Sequence, residues 1–196
     1  PLRVGYQANC GSCWAWGASA AYEANYFLRN GYEPDVAEQH PLSCTSRDMW
    51  KWATNSCETG GMHTSAMDWM VQKDRLAAEK QLPYKGVTGK CKNWNPKGAY
   101  GADAWDYVDP INFLFPSVRK IKKALCEHGV VASGVYATDS FKAYIGGVFT
   151  NDTGWKHSNH IVNIIGWDDK KGAWLIKNSW GAWGDNGFMW IKYGAN

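Results

Sequence analysis

Residues 7–17 read QANCGSCWAWG. A glutamine stands six positions before Cys13, a second cysteine stands three before it, and a tryptophan-rich run follows. From Cys13 the chain continues as CWAWGASAAYEANYFLR, rich in alanine and with aromatics at roughly helical spacing. That pattern predicts a helix over 13–29, with Asn30-Gly31 as its C-terminal stop. Ser12 falls where an N-cap belongs. Cys13 is then in the first helical turn, where the partial positive charge of the helix end favours thiolate over thiol. Thiolate is the nucleophilic form of cysteine, so the pattern points to nucleophilic chemistry.

A thiolate that attacks a carbonyl also needs a proton donor for the leaving group, and something to hold that donor. The C-terminal half offers both. Asn159-His160 leads into the apolar run IVNII, and residues 173–181 read AWLIKNSWG. A histidine opening one buried strand and an asparagine ending the next can lie side by side in a hairpin. The other histidines read as bland. His40 precedes Pro41, His128 ends a helix before Gly129, and His157 lies in a polar loop. His63 follows a Gly-Gly pair and is badly placed as a base. Helical patterns come first (13–29, 64–73) and a helix over 117–128 precedes four strands, near 130–137, 160–167, 172–178 and 187–193. Helices followed by strands imply an α+β fold.

Taken together, Gln7 with Cys13-Trp14, the Asn159-His160 strand, Lys177-Asn178-Ser179-Trp180-Gly181 and the following WGDNGF (183–188) occur in one order along nearly the whole chain. In these motifs the chain resembles the papain family of cysteine peptidases. The resemblance implies a papain-like α+β fold of two lobes with the active-site cleft between them. The first, 1–105, would be a mainly helical lobe carrying the nucleophile helix. The second, 106–196, would be an antiparallel β-barrel-like lobe carrying the catalytic histidine and asparagine. Cys13, His160 and Asn178 would form the catalytic triad, and Gln7 would form the oxyanion hole with the Cys13 N–H. Trp180 would shield the His–Asn bond. Gly60 and Gly61 would pair with an extended substrate backbone. Met62, His63, Gly134, Asn159 and Ile161 would wall the main specificity pocket, with the missing side chain of Gly134 leaving open room for a bulky apolar residue, and Trp183 would wall the leaving-group side.

The family pattern further implies disulfides Cys10–Cys57 and Cys44–Cys91. Cys126 is left over on the 117–128 helix and, like most free cysteines, is expected to be a buried free thiol. It implies a cysteine endopeptidase acting through a thioester acyl-enzyme, with an apolar residue preferred two before the scissile bond. No paired-histidine occluding loop is present, which favours endopeptidase over exopeptidase. A non-catalytic binding module and a Cys-x-x-Cys thiol oxidoreductase are the other readings. No cofactor and no metal are implied. The expected partners are protein or peptide substrates and an inhibitory propeptide or protein inhibitor. No nucleic acid and no membrane are expected, and the chain is expected to be a monomer. A disulfide framework places it in a secreted or lysosome- or vacuole-like oxidising compartment. Against the mature family pattern the chain starts late and ends early, which reads as a compact or truncated member.

Composition agrees. At 196 residues, 45% hydrophobic and 20% charged, the chain reads as a soluble globule of one domain or two small lobes. No apolar run is long enough to span a bilayer. The net charge of +3 is small, and the densest basic group, Arg119-Lys120 with Lys122-Lys123, alternates with apolar residues. That spacing reads as the solvated face of an amphipathic helix, not as a nucleic-acid patch. Cys10-Gly-Ser-Cys13 could open a redox helix or half a zinc site. The redox motif would follow a strand in an alternating α/β pattern, and the short run before Cys10 is no such strand. The zinc reading lacks a second ligand pair. Most of the thirteen tryptophans fall in the quoted motifs or in apolar runs, so they read as core and cleft wall. Asn151-Asp-Thr153 is a glycosylation sequon.

Overall fold

The computed structural model describes residues 3–45, 55–73, 76–91, 100–151 and 157–195. The chain divides into two compact units, Gln7–Asp106 and Tyr107–Asn196, and the second also takes in residues 3–6. Those four residues, expected in the first lobe, go with the second for reasons of local bonding. Lys177 Nζ donates to the Arg3 carbonyl (3.0 Å), the Gly181 N–H donates to the Gly5 carbonyl (2.9 Å), and Tyr6 forms a β-bridge with Trp180.

In the first unit, helix α1 (Cys13–Asn30) stops at Gly31. This glycine adopts a left-handed conformation (φ 77°), and its N–H closes on the Phe27 carbonyl at 2.8 Å. The buried face of α1 is made mostly of small residues, Ala15, Gly17, Ala18, Ser19, Ala20 and Ala24, beside the fully buried Trp14. Small side chains let α2 (Gln39–Cys44) and α3 (His63–Lys73) pack directly on it. Helix α3 starts one residue before its expected position. Helix α2 was not expected. It holds Pro41 in its first turn, where a missing N–H costs nothing.

Three buried polar side chains of this unit are tied to the backbone around them, which offsets their desolvation. Glu23 Oε1 accepts from the Val36 N–H (2.9 Å). Gln39 donates to Ser43 and to the Val87 carbonyl and accepts from the Lys85 N–H. His40 Nδ1 accepts from the Ala77 N–H (3.2 Å), and its ring lies edge-on to Trp69. Disulfides Cys10–Cys57 and Cys44–Cys91 each span 47 residues. In chain-entropy accounting a loop of that size is worth about 4 kcal/mol when taken alone.

The second unit is a five-stranded sheet in the order β1-β3-β4-β5-β2. Its strands are β1 (Val131–Val135), β2 (Val148–Phe149), β3 (His160–Asp168), β4 (Ala173–Lys177) and β5 (Phe188–Lys192). The four expected strands are present, with ends shifted by at most two residues. β2 is the addition. It pairs parallel with β5, so the sheet is mixed where an antiparallel one was expected. Two residues carry too little periodicity to be read as a strand. Helix α4 (Val118–His128) lies on β1 and β3, capped by the Ser117 hydroxyl. Two short helical turns, α5 (Asp139–Lys142) and α6 (Trp183–Asn186), also went unread. The core joins Leu125, Val162, Ile164, Trp174, Ile176, Met189 and Ile191 with Phe141 and Phe149. Cys126, expected to be buried, is exposed. The inward stripe of α4 is Val118, Ile121 and Leu125, and Cys126 lies off it.

Gly61 packs against the Trp14 indole. A Cβ there would meet Trp14 Cε2 and Asn55 Oδ1 at 2.7 Å each. Gly61→Ala is expected to destabilise the protein by roughly 1–3 kcal/mol through overpacking, read as a lower urea midpoint at unchanged slope. An unchanged midpoint would show that the Trp14 packing is looser than these distances.

Burial pushes the His40 pKa down from 6.5 to about 4. The neutral ring is also the one whose Nδ1 can accept from Ala77. The folded state therefore binds fewer protons than the unfolded state between these two values. Stability is full above pH 6.5 and falls as the pH drops towards 4, by about 1.4 kcal/mol per pH unit from this residue. Comparing the pH dependence of unfolding free energy for wild type and His40→Gln checks this. The variant's slope over that window should be shallower by about one proton.

Candidate active site

Cys13 is the first residue of α1 and is buried. The Ser12 carbonyl begins the helix, accepting from the Ala15 N–H (2.9 Å) and the Trp16 N–H (3.2 Å). No acidic residue stands in the first turn to offset the positive helix end. A thiolate is favoured at such a position.

The expectation that the Ser12 hydroxyl caps α1 needs correcting. Its side chain makes no capping bond and instead meets the Tyr84 hydroxyl at 2.6 Å. Tyr84 in turn donates to the Gln7 carbonyl (2.9 Å). That carbonyl can only accept and Tyr84 has one hydrogen, so Ser12 is the donor to Tyr84. Burial raises the Tyr84 pKa, which keeps the phenol protonated for this relay.

The Gln7 amide Nε2 donates to the Cys10 carbonyl (2.7 Å), and the Gly11 N–H donates to the Cys57 carbonyl (2.8 Å). Together with the Cys10–Cys57 bond these contacts hold the turn that leads into Cys13. Because Cys10 is bonded to Cys57, it is available neither for a Cys10–Cys13 redox pair nor as a metal ligand. Tyr84 was missed in sequence. It lies 72 residues from Ser12 in a turn-rich stretch, and no periodic pattern marks it.

Gly60 forms a β-bridge with Ser56, and Met62 beyond it is exposed. His63 begins α3. Its Nδ1 is buried without a hydrogen-bond partner among the described residues, and burial lowers its pKa to about 4.

In the second unit, His160 opens β3 opposite Val135, and Asn178 follows β4 directly. Their separation in sequence is 18, yet His160 Nε2 lies 2.7 Å from Asn178 Oδ1. The same oxygen accepts from the Ser179 N–H at 2.8 Å. A backbone N–H can only donate, so Oδ1 is the acceptor in both bonds. His160 Nε2 must then carry the hydrogen, and Nδ1 is the basic nitrogen. Trp180 stacks on the imidazole (centroids 4.4 Å apart, 29° between planes). Phe141 and Trp183 support Trp180 edge-on, and Trp183 Nε1 donates to the Lys142 carbonyl (2.7 Å). Burial pushes the His160 pKa down to about 4, with the Asn178 bond acting the other way.

The remaining expected wall residues are differently disposed. Ile161 is buried and pairs with Gly134 across β3 and β1. Asn159 turns its carboxamide to the backbone, where Oδ1 accepts from the Ala137 N–H (2.7 Å). A Cβ at Gly134 would meet Ser158 Cβ at 2.7 Å and Oγ at 2.8 Å. The space over Gly134, expected to be open, is thus filled by Ser158, a residue the sequence reading did not single out. His157 is exposed. Asn151 is exposed and donates to Ser140 Oγ (2.8 Å), while the rest of its sequon lies outside the described residues.

The family model described as papain family cysteine protease matches residues 2–196. Cathepsin S of Bos taurus is 33% identical over 191 residues, covering 95% of this chain and 55% of that protein. Cysteine proteinase 1 of Zea mays is 33% identical over 205 residues, covering 97% of this chain and 53% of that protein. The chain spans about half the length of the curated relatives it matches. Among solved structures, the bromelain protease from Ananas comosus in complex with the E64 inhibitor has a TM-score of 0.80 at 30% identity. It covers 96% of this chain and 83% of its own. The ragweed pollen allergen Amb a 11 in its proform has the same score and identity, covering 98% and 57%. These matches agree with an α+β chain that opens a helix on a cysteine and joins a strand-borne histidine to an asparagine. The chain belongs to the papain family of cysteine proteases.

Proposed function

We propose that this chain is a cysteine endopeptidase with Cys13 as nucleophile, His160 as acid and base, Asn178 as the group that orients His160, and Gln7 as an oxyanion donor. The observation that carries the proposal is the doubly bonded Asn178 oxygen. It holds the His160 tautomer with Nδ1 basic, as a proton shuttle to a thiol requires. A thiol at a helix N-terminus is the matching half.

The reaction balances as acyl transfer. The Cys13 thiol gives its proton to His160 Nδ1, and the thiolate adds to the peptide carbonyl carbon. The resulting oxyanion takes hydrogen bonds from the Gln7 amide and the Cys13 N–H. The C–N bond breaks as the imidazolium protonates the departing amine, leaving a thioester on Cys13. Water, deprotonated by His160, adds to the thioester. The acid departs and the thiol is restored.

Gly60 and Gly61 would pair with the substrate backbone as an added strand. The apolar Met62 and Ile161 support a preference for an apolar residue two before the scissile bond. His63, Asn159 and Gly134 would complete that wall, with Ser158 lying over Gly134. Trp183 would border the leaving-group side. The two disulfides support a secreted or lysosome- or vacuole-like location. An inhibitory propeptide or protein inhibitor, and a monomeric state, are part of the same reading.

Cys13→Ser should abolish hydrolysis of a mixed peptide library while leaving the unfolding midpoint unchanged; His160→Ala should also abolish hydrolysis, with a lower midpoint because a buried, bonded ring is removed. His157→Ala should keep full turnover. Retained turnover in either of the first two variants rejects the proposed roles, as does loss in the third.

His160 should titrate differently according to the state of Cys13. Burial, partly offset by the Asn178 bond, sets its pKa near 4. An adjacent thiolate opposes this by stabilising the imidazolium. Imidazole resonances followed by NMR should show His160 titrating well above 4 in the untreated protein. After Cys13 is alkylated, the titration should fall towards 4. Identical titrations before and after would sink the thiolate–imidazolium pair.

A further inference from the structure

Residues 107–116 read YVDPINFLFP and lead into α4. Four bulky apolar side chains within five positions face water here: Ile111 (95% exposed), Phe113 (51%), Leu114 (65%) and Phe115 (59%). The segment is held in that shape by polar contacts. Asp109 is buried and accepts from Lys120 Nζ of α4 at 2.7 Å, and it also accepts from the Ile111 N–H (3.3 Å). Asn112 brackets Phe115, its Nδ2 donating to the Phe115 carbonyl (2.7 Å) while its own carbonyl accepts from the Phe115 N–H (3.3 Å). The Phe113 ring rests against Tyr107 (centroids 5.0 Å apart). These bonds fix a turn whose apolar side chains stay out of the core. So dense a run of exposed apolar groups on a soluble surface marks an interaction site.

Charge selects the partner. Residues 110–126 contain four cations and no acidic residue. Two of the cations are engaged at home: Lys120 by Asp109, and Lys122 by Asp169 while lying over the Trp167 and Tyr193 rings. Arg119 is exposed and has no ion-pair partner among the described residues. Lys123 is 73% exposed, with only a 3.7 Å contact to Glu127. An apolar tip followed by solvent-facing cations complements an anionic lipid surface, where the apolar groups enter the acyl boundary and the cations meet headgroup phosphates.

We propose that the 111–115 turn and the start of α4 form a peripheral docking site for anionic membranes. This differs from spanning one. Among the described residues no helix is long and apolar enough to cross a bilayer. The expectation of no membrane partner rested on that same absence in the sequence. Binding through so small an apolar surface is weak and reversible.

Flotation with phosphatidylcholine vesicles, with and without roughly one-third phosphatidylserine, tests the site directly. The wild-type protein should float with the phosphatidylserine vesicles, less with phosphatidylcholine alone, and less again at high salt. Phe113→Ser combined with Leu114→Ser should remove most of the binding. Arg119→Gln and Lys123→Gln should each weaken it about fivefold. Peptide hydrolysis and the unfolding midpoint should be unchanged in all of them, since none belongs to the proposed catalytic set. Two results overturn the proposal: no flotation of wild type, or equal flotation of wild type and the double serine variant. Sedimentation velocity supplies a third. Self-association of wild type that the double variant abolishes, without vesicle binding, would assign the turn to a contact between copies of the chain.

Discussion

One carboxamide oxygen organises the candidate residues of the second unit. Asn178 Oδ1 receives the Ser179 N–H from its own backbone and His160 Nε2–H from the neighbouring strand. The first bond removes any freedom to flip the amide, because a flipped amide would face N–H against N–H. The second then removes the freedom of the imidazole tautomer. Everything nearby keeps those two bonds in place. Antiparallel pairing of β3 and β4 brings the histidine strand beside the asparagine. The Asn178 N–H is tied to the Gly187 carbonyl (2.9 Å). Trp180 stacks on the imidazole, and Phe141 and Trp183 meet Trp180 edge-on. Burial has a cost for this arrangement, since it disfavours the charged ring. An ion pair using His160 therefore needs a partner charge.

The first unit solves a different problem, which is to present a thiol at a helix end without losing the backbone that precedes it. A helix N-terminus leaves donors without intrahelical partners, and a short polar side chain is the usual remedy. Here the serine in the capping position is spent elsewhere. Its hydroxyl feeds Tyr84, which anchors the Gln7 carbonyl. The positive end of α1 is thereby left without a side-chain cap, and no acidic residue in the first turn cancels it. The constraint on the loop comes from covalent and tertiary bonds instead, through Cys10–Cys57 and Tyr84.

What could be read in the sequence was what local pattern encodes. The alanine-rich run after Cys13, the glycine at its end and the apolar strand opened by His160 all announce themselves within a dozen residues. Asn178 was legible because hairpin neighbours are close in sequence. Features that depend on distant partners were not legible. Ser12 sits at a capping position and was read as a cap, since nothing nearby reveals Tyr84. Gly134 was read as open space because an absent side chain says nothing about Ser158, which fills it. Cys126 was read as buried by analogy with other free cysteines, although the 3.6-residue period of α4 turns it to water. The turn 111–115 has the composition of a core strand. Only its tertiary surroundings, with Asp109 taken inward and the phenylalanines left outside, give it a different character.

Residues 3–6 belong with the sheet through Lys177, Gly181 and Trp180, while Gln7–Asp106 forms a compact unit of its own. In topological terms the first unit is an excursion inserted between two parts of the second. Residues 3–6 leave the ribosome before the first unit does, and their partners near 177–181 follow after it. The first unit has all its own residues by then and can fold while the opening tetrapeptide waits. Closing so long a loop is slow, although its entropic penalty grows only with the logarithm of its length. The bonds that join residues 3–6 to Lys177, Trp180 and Gly181 are thus completed only after the whole first unit has been made. A nascent chain would carry a folded α1 before Asn178 could orient the His160 ring, so the order of the two units along the chain is also an order of assembly.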